Sequence, residues 1–139
     1  MPLVFLDTNP IIRYLTQDDP GQAARARDLF EQAARGEVTL YVSESVVVEV
    51  VNVLSSRVTY HLPRREVVRH LGNIFSLRGF KIPGKQTYRR ALELWVNTPS
   101  VRDFVDALSV AQAERLKIPT IASFDTDFDR FPTIKRLQP

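Results

Sequence analysis

The chain opens on Leu3-Val4-Phe5-Leu6, an unbroken apolar run that stops abruptly at Asp7-Thr8-Asn9. A short run of this kind, bounded by polar turn residues, predicts a strand of a parallel sheet buried on both faces. Pro10 suits the first turn of a helix through Leu15, and Asp18-Asp19-Pro20-Gly21 reads as a loop. Ala23, Ala26, Leu29, Phe30 and Ala33 then recur at helical spacing over residues 22–35, closed by Gly36. Residues 38–42 form a second strand pattern, Ser43 is placed to cap a helix running to about Ser56, and Pro63 to start one carrying Val67, Val68, Leu71, Ile74 and Phe75. A short strand at 80–82 and an amphipathic helix at 88–96 follow, interrupted by Asn97-Thr98-Pro99-Ser100. The pattern ends with a helix over 103–116, a strand at 120–122 and a closing segment at 134–137.

Strands that alternate with helices predict an α/β fold with a mostly parallel sheet and right-handed crossovers. With 139 residues, no internal repeat and no long linker, the whole chain (1–139) reads as one domain.

Against this apolar background four carboxylates stand out. Asp7 sits at a strand end, where open parallel sheets place their ligands, although Asp7, Thr8 or Asn9 would also serve as a helix cap. Glu49 interrupts the run Val46-Val47-Val48-Glu49-Val50-Val51 and shares a stripe with Ser45, Asn52 and Ser56, which faces either a site or solvent. Asp106 lies a turn inside the helix of 103–116, where aspartate is a poor helix former, with a helix-dipole role as the alternative. Asp103 has a local explanation, since Ser100-Val101-Arg102-Asp103 fits a capping box. Asp125 begins the cluster Asp125-Thr126-Asp127-Phe128-Asp129 after the last apolar strand, which reads as a site or as an acidic turn. Unpaired carboxylates gathered together resist ionisation unless a cation neutralises them, so their convergence would create a divalent-metal site.

Composition narrows the chemistry. There is no cysteine, which excludes thiol nucleophiles and thiolate zinc sites and fits a reducing interior. Two histidines offer little for a triad or a histidine-driven ribonuclease. No apolar run approaches the roughly 20 residues that span a bilayer and the N-terminus lacks secretion-signal zones, so a cytoplasmic protein with no membrane association is expected. The net charge of +3 is carried mainly by arginine, whose fork fits phosphate oxygens. Arg13, Arg64, Arg65, Arg69, Arg89 and Arg90 read first as solvated helix faces and second as phosphate contacts.

The motifs Leu6-Asp7-Thr8-Asn9, Ser43 through Glu49, Asp106-Ala107 and Ser123-Phe124-Asp125-Thr126-Asp127-Phe128 occur in an order and at separations that resemble PIN-domain proteins, specifically VapC-type toxin ribonucleases of toxin–antitoxin modules. The resemblance spans nearly the entire chain. It implies a three-layer α/β/α fold with a central, mostly parallel sheet of about five strands. It also implies a catalytic set of Asp7, Glu49, Asp106 and Asp125, with metal held by Asp7, Asp106 and Asp125. Thr8, Asn9, Ser123, Asp103 and Asp127 would support that set, Ser123 standing where the family commonly has threonine. The cofactor implied is Mg²⁺ or Mn²⁺, which oxygen-only ligands favour independently. The partners implied are an RNA substrate, a small antitoxin and a second copy of the chain, with Phe and Leu positions on the helices of 10–35 and 43–56 as a dimer or antitoxin surface.

The activity expected is metal-assisted hydrolysis of an RNA phosphodiester by water, leaving a 5′-phosphate and a 3′-hydroxyl. The alternatives are a non-catalytic RNA-binding module on the same fold and a housekeeping RNA-processing nuclease. A phosphoryl-acceptor aspartate at Asp7 fits less well, because haloacid-type phosphatases carry a second aspartate where this chain has Asn9.

Overall fold

The structure is a computed structural model that describes residues 2–139, and it has two compact units, the first ending at Gly84 and the second covering Lys85–Pro139. In the first unit the chain runs β1 (Leu3–Phe5), α1 (Thr8–Thr16), α2 (Pro20–Ala34), β2 (Thr39–Tyr41), α3 (Glu44–Ser55), α4 (Arg64–Phe75) and β3 (Phe80–Lys81). The second holds α5 (Lys85–Asn97), α6 (Phe104–Leu116), β4 (Thr120–Ala122), a short 3₁₀ helix (Thr126–Arg130) and β5 (Lys135–Leu137).

Local chemistry sets the ends of the first unit's helices. The Asp19 carboxylate accepts the Gln22 N–H at 3.1 Å and Pro20 occupies the first helical position, so α2 begins two residues ahead of the apolar pattern. Ser43 caps α3 by accepting the Val46 N–H at 3.3 Å. The strands pair in parallel in the order β1-β2-β3, with Val4 opposite Leu40 and Leu40 opposite Phe80. Leu40, Val47, Val51, Leu54, Val67 and Ile11 are fully buried and form the core of this unit. Phe30 joins helix to sheet, its ring 4.7 Å from Tyr14 and edge-on to Phe80 at 4.9 Å.

Gly79 shows how closely α2 meets the sheet. Its φ is +82°, its carbonyl accepts the Leu40 N–H at 2.9 Å, and a Cβ there would lie 2.1 Å from the Ala33 carbonyl oxygen. Only glycine satisfies both the left-handed backbone and that approach.

In the second unit α5 and α6 bury Ala91, Leu92 and Trp95 together with Phe104, Ala107, Leu108 and Ala111, and Trp95 meets Phe104 edge-on at 5.8 Å. Arg90 on α5 reaches both carboxylate oxygens of Glu114 on α6, at 2.8 and 3.1 Å. β4 and β5 pair in parallel, Ile121 opposite Arg136.

The α/β class and the parallel pairings are as the sequence pattern implies, but several details differ. Among the described residues the five strands form a three-stranded and a two-stranded sheet, where one sheet of about five was expected. The strands are only two or three residues long, so each ladder carries few hydrogen bonds. β1 is exposed on both faces, with Leu3 at 60% and Phe5 at 65%. An apolar run records hydrophobicity and says nothing of how many sides are covered; here the buried residue is Leu6, just past the strand. The capping box at Ser100 does not form: α6 starts at Phe104 with Asp103 as its N-cap, and that side chain makes no capping bond. Phe30 and Leu54, proposed for an interaction surface, point into the core.

Candidate metal centre

The turn after β4 is held by a chain of side-chain-to-backbone bonds. Ser123 Oγ accepts the Asp125 N–H at 2.9 Å, and Asp125 Oδ1 accepts the Asp127 N–H at 2.9 Å, which starts the 3₁₀ helix. The Ser123 N–H bonds the Leu137 carbonyl at 3.0 Å, continuing the β4–β5 register into the turn. Arg136 on β5 braces the far side: its fork donates to both oxygens of Asp129 at 2.9 and 3.2 Å, and its Nη1 donates to the Ser123 carbonyl at 3.1 Å. The Asp129 carboxyl is consequently held below its ordinary range, chiefly by that hydrogen bond.

Asp106 is half-buried in the first turn of α6, three residues from the N-cap Asp103. Carboxylate oxygens of Asp106, Asp125 and Asp127 lie within 4.8 Å of one another. Burial pushes the Asp106 carboxyl above its ordinary range, and the charges of Asp125, Asp103 and Asp127 push in the same direction. Asp127 has a long partner in Arg130, at 3.7 Å.

This donor set fits a hard divalent cation. Its oxygens are close enough to share an ion, none comes from a soft or nitrogen ligand, and the burial and neighbouring charges that oppose ionisation of Asp106 are what a dication would offset.

The remaining acids belong to the first unit. Asp7 is the N-cap residue of α1 but its side chain makes no capping bond, so capping does not account for this carboxylate. Thr8 is buried, and its Oγ1 has no hydrogen-bond partner among the described residues. Asn9 is exposed, and Glu49 lies with Ser45 and Asn52 on the exposed stripe of α3.

Of the residues singled out from sequence, the structure gathers Asp106, Asp125 and Asp127, with Ser123 shaping the turn. Asp127 therefore stands inside the donor set, whereas Asp103 contributes charge to Asp106 from outside it. Sequence reasoning missed Arg136. Its only signal was an arginine between Lys135 and Leu137, seven residues after Asp129, and nothing local marks such a pair as a fork.

Among the described residues no helix is long and apolar enough to cross a membrane. A search of curated proteins gives no match. Among solved structures, the chain is similar to VapC20 of Mycobacterium tuberculosis, a toxin that cleaves the sarcin–ricin loop, with 20% identity over 95% of this chain and 97% of that one and a TM-score of 0.39. It is also similar to VapBC2 of Rickettsia felis bound to a DNA fragment from its promoter, with 14% identity over 99% and 98% of the two chains and a TM-score of 0.36. The model of the PIN domain matches residues 4–134, so that it takes in the sequence from β1 to the threshold of β5 together with all three clustered aspartates, and the chain belongs to the PIN-domain family.

Proposed function

We propose that this protein is a metal-dependent endoribonuclease that hydrolyses RNA phosphodiesters, acting as the toxin of a toxin–antitoxin pair. The observation that carries the reading is the meeting of Asp106, Asp125 and Asp127 oxygens within 4.8 Å in a chain of the PIN-domain family. The arginine-rich composition and net charge of +3 agree with a polyanionic substrate.

Asp106, Asp125 and Asp127 would hold Mg²⁺ or Mn²⁺. A bound dication supplies charge neutralisation at the phosphate and a lowered pKa for attacking water. Ser123 fixes the Asp125 backbone, and Asp125 in turn fixes Asp127, so the carboxylates need little reorganisation to receive the ion. Asp7 and Glu49 are assigned to the same reaction, Asp7 as a further metal-side carboxylate and Glu49 as the acceptor of the water proton. Attack by water breaks the P–O3′ bond and leaves a 5′-phosphate and a 3′-hydroxyl. A small antitoxin and a second copy of the chain complete the reading, as does a cytoplasmic setting.

The test is incubation of the purified protein with structured and unstructured RNAs in Mg²⁺, Mn²⁺ or EDTA, followed by end-group analysis. Cleavage that requires metal, yields 5′-phosphates and disappears in both Asp7→Asn and Asp106→Asn supports the proposal. Metal-independent cleavage, cyclic phosphate ends, or activity that survives Asp106→Asn overturns it.

A further inference from the structure

A cavity of about 340 Å³ opens between α1 and α2, lined by Asn9, Pro10, Arg13, Gln22, Arg25, Ala26 and Leu29. Its polar wall is organised from beneath. Arg13 Nε donates to Gln22 Oε1 at 2.9 Å, while Arg13 Nη1 donates to Asp18 at 2.9 and 3.0 Å and to the Tyr60 hydroxyl at 3.3 Å. Tyr60 and Thr16 close the network on Asp18 at 2.5 and 2.8 Å. Two consequences follow for a ligand. The charge of Arg13 is balanced by Asp18, and the Gln22 amide is oriented with its oxygen occupied and its N–H₂ left to donate.

Arg25 differs from Arg13. It is exposed, enters none of the hydrogen bonds or ion pairs described for the cavity wall, and lies over the first turn of α2, where its Nη1 and the Asp19 Oδ1 that accepts the Gln22 N–H each stand 3.7 Å from where a Cβ on Gly21 would sit. The cavity thus offers one exposed guanidinium, one oriented amide donor and the Asn9 side chain above an apolar floor of Pro10, Ala26 and Leu29. These are donors for an anion with apolar surface beside it. The volume is at the small end of ligand sites, suited to one nucleotide-sized group and too small for a docked helix. Asn9 lies two residues beyond Asp7 on the same helix start, which ties the cavity to a residue assigned to the reaction.

We propose that this cavity is an RNA subsite in which Arg25, the Gln22 amide and Asn9 grip a phosphodiester other than the one being cut, with Arg13, Asp18 and Tyr60 as positioning residues. The assignment rests on the ribonuclease reading for its substrate, and a binding measurement in EDTA separates the two.

The experiment measures affinity of the full chain for a fluorescein-labelled single-stranded RNA by anisotropy, in EDTA, from roughly 50 to 300 mM salt. Arg25→Ala is expected to weaken binding about 3- to 10-fold at low salt and to reduce the slope of log K against log salt by about 0.7, the value of one phosphate contact on a single strand. Arg25→Lys, which keeps the charge, should restore the slope, a result that a purely structural role would not give. Arg57→Ala, removing an exposed arginine outside the cavity, should leave the slope unaltered. Unchanged affinity and slope in Arg25→Ala overturn the subsite, as does an equal slope change in Arg57→Ala. Loss of binding to a polyglutamate peptide with RNA binding intact also overturns it, in favour of an acidic protein segment. A wild-type chain that shows the Arg25 effect but cleaves no RNA retains the subsite and refutes the ribonuclease.

Discussion

Asp125 accepts the backbone N–H of Asp127 at 2.9 Å, so one carboxylate of the acidic cluster sets the position of another. The bond engages Oδ1 of Asp125 and leaves Oδ2 available to a cation. The acidic turn and the metal site, which the sequence presents as rival readings of this segment, are therefore one structure: the Asx-type bond builds the turn, and the turn delivers the ligands.

Asp106→Asn should separate stability from activity. A carboxyl raised above its ordinary range in the folded chain is one whose ionised form the fold disfavours, so ionisation at neutral pH costs stability. The amide removes that cost, and in EDTA the variant should gain a few tenths to about 1 kcal/mol by urea titration. Added Mg²⁺ should raise the melting temperature of the wild type and scarcely move the variant, while cleavage falls at least about 100-fold. Equal Mg²⁺ stabilisation of both proteins would remove Asp106 from the donor set.

Ser123→Ala deletes the acceptor for the Asp125 N–H without touching a carboxylate. Groups that orient metal ligands typically carry 10- to 100-fold of affinity or activity, so a loss of about 10-fold in Mg²⁺ affinity is expected by calorimetry. Ser123→Thr keeps the hydroxyl and should restore most of it.

Gly79 and Gly72 should respond oppositely to alanine. At Gly79 the left-handed backbone and the Ala33 carbonyl, 2.1 Å from a new Cβ, should cost at least about 3 kcal/mol. Gly72 lies inside α4 with nothing within 4 Å of its Cβ position, and alanine there should stabilise by roughly 0.5–1 kcal/mol. Urea midpoints of the two variants test both signs at once.

Asp18 gives the first unit a pH-dependent element. Hydrogen bonds from Tyr60 and Thr16, then from Arg13, hold its carboxyl down to about 2 against an ordinary 3.8. Because the folded value lies below the unfolded one, the stabilisation is complete above roughly pH 4, declines as the pH falls, and is gone below about pH 2. In denaturation curves taken from pH 5 to pH 2, the gap between wild type and Asp18→Asn should narrow steadily on acidification. A constant gap would show that Asp18 does not titrate with folding.

The elements themselves were legible because their signals are local. Ser43 before a valine run and Thr120 to Ala122 between a helix and an acidic turn each carry their own cue, and each is observed, whereas Asp19-Pro20, which reads as loop, is the cap and first residue of α2. What the pattern did not carry was anything that depends on distant chain. Leu3 and Phe5 look like core residues, yet both are exposed, because the run itself does not say what covers its faces. Ser100 looks like a cap, although the helix it would cap starts at Phe104. At the acidic cluster, Asp106 and Asp125 stand out in the sequence as acids in apolar surroundings, and the structure brings them together. The place of Asp127 depended on a backbone bond, and the roles of Arg136 and Tyr60 on partners 7 and 42 residues away.

The Arg136 brace ties the closing strand to the acidic turn. A premature stop or a protease nick after residue 134 would leave every proposed ligand encoded and intact, yet strip the guanidinium that ties the Ser123 carbonyl to Asp129. Such a shortened protein would pass inspection for its acidic motif and lack the outer tie between that turn and the strand beside it.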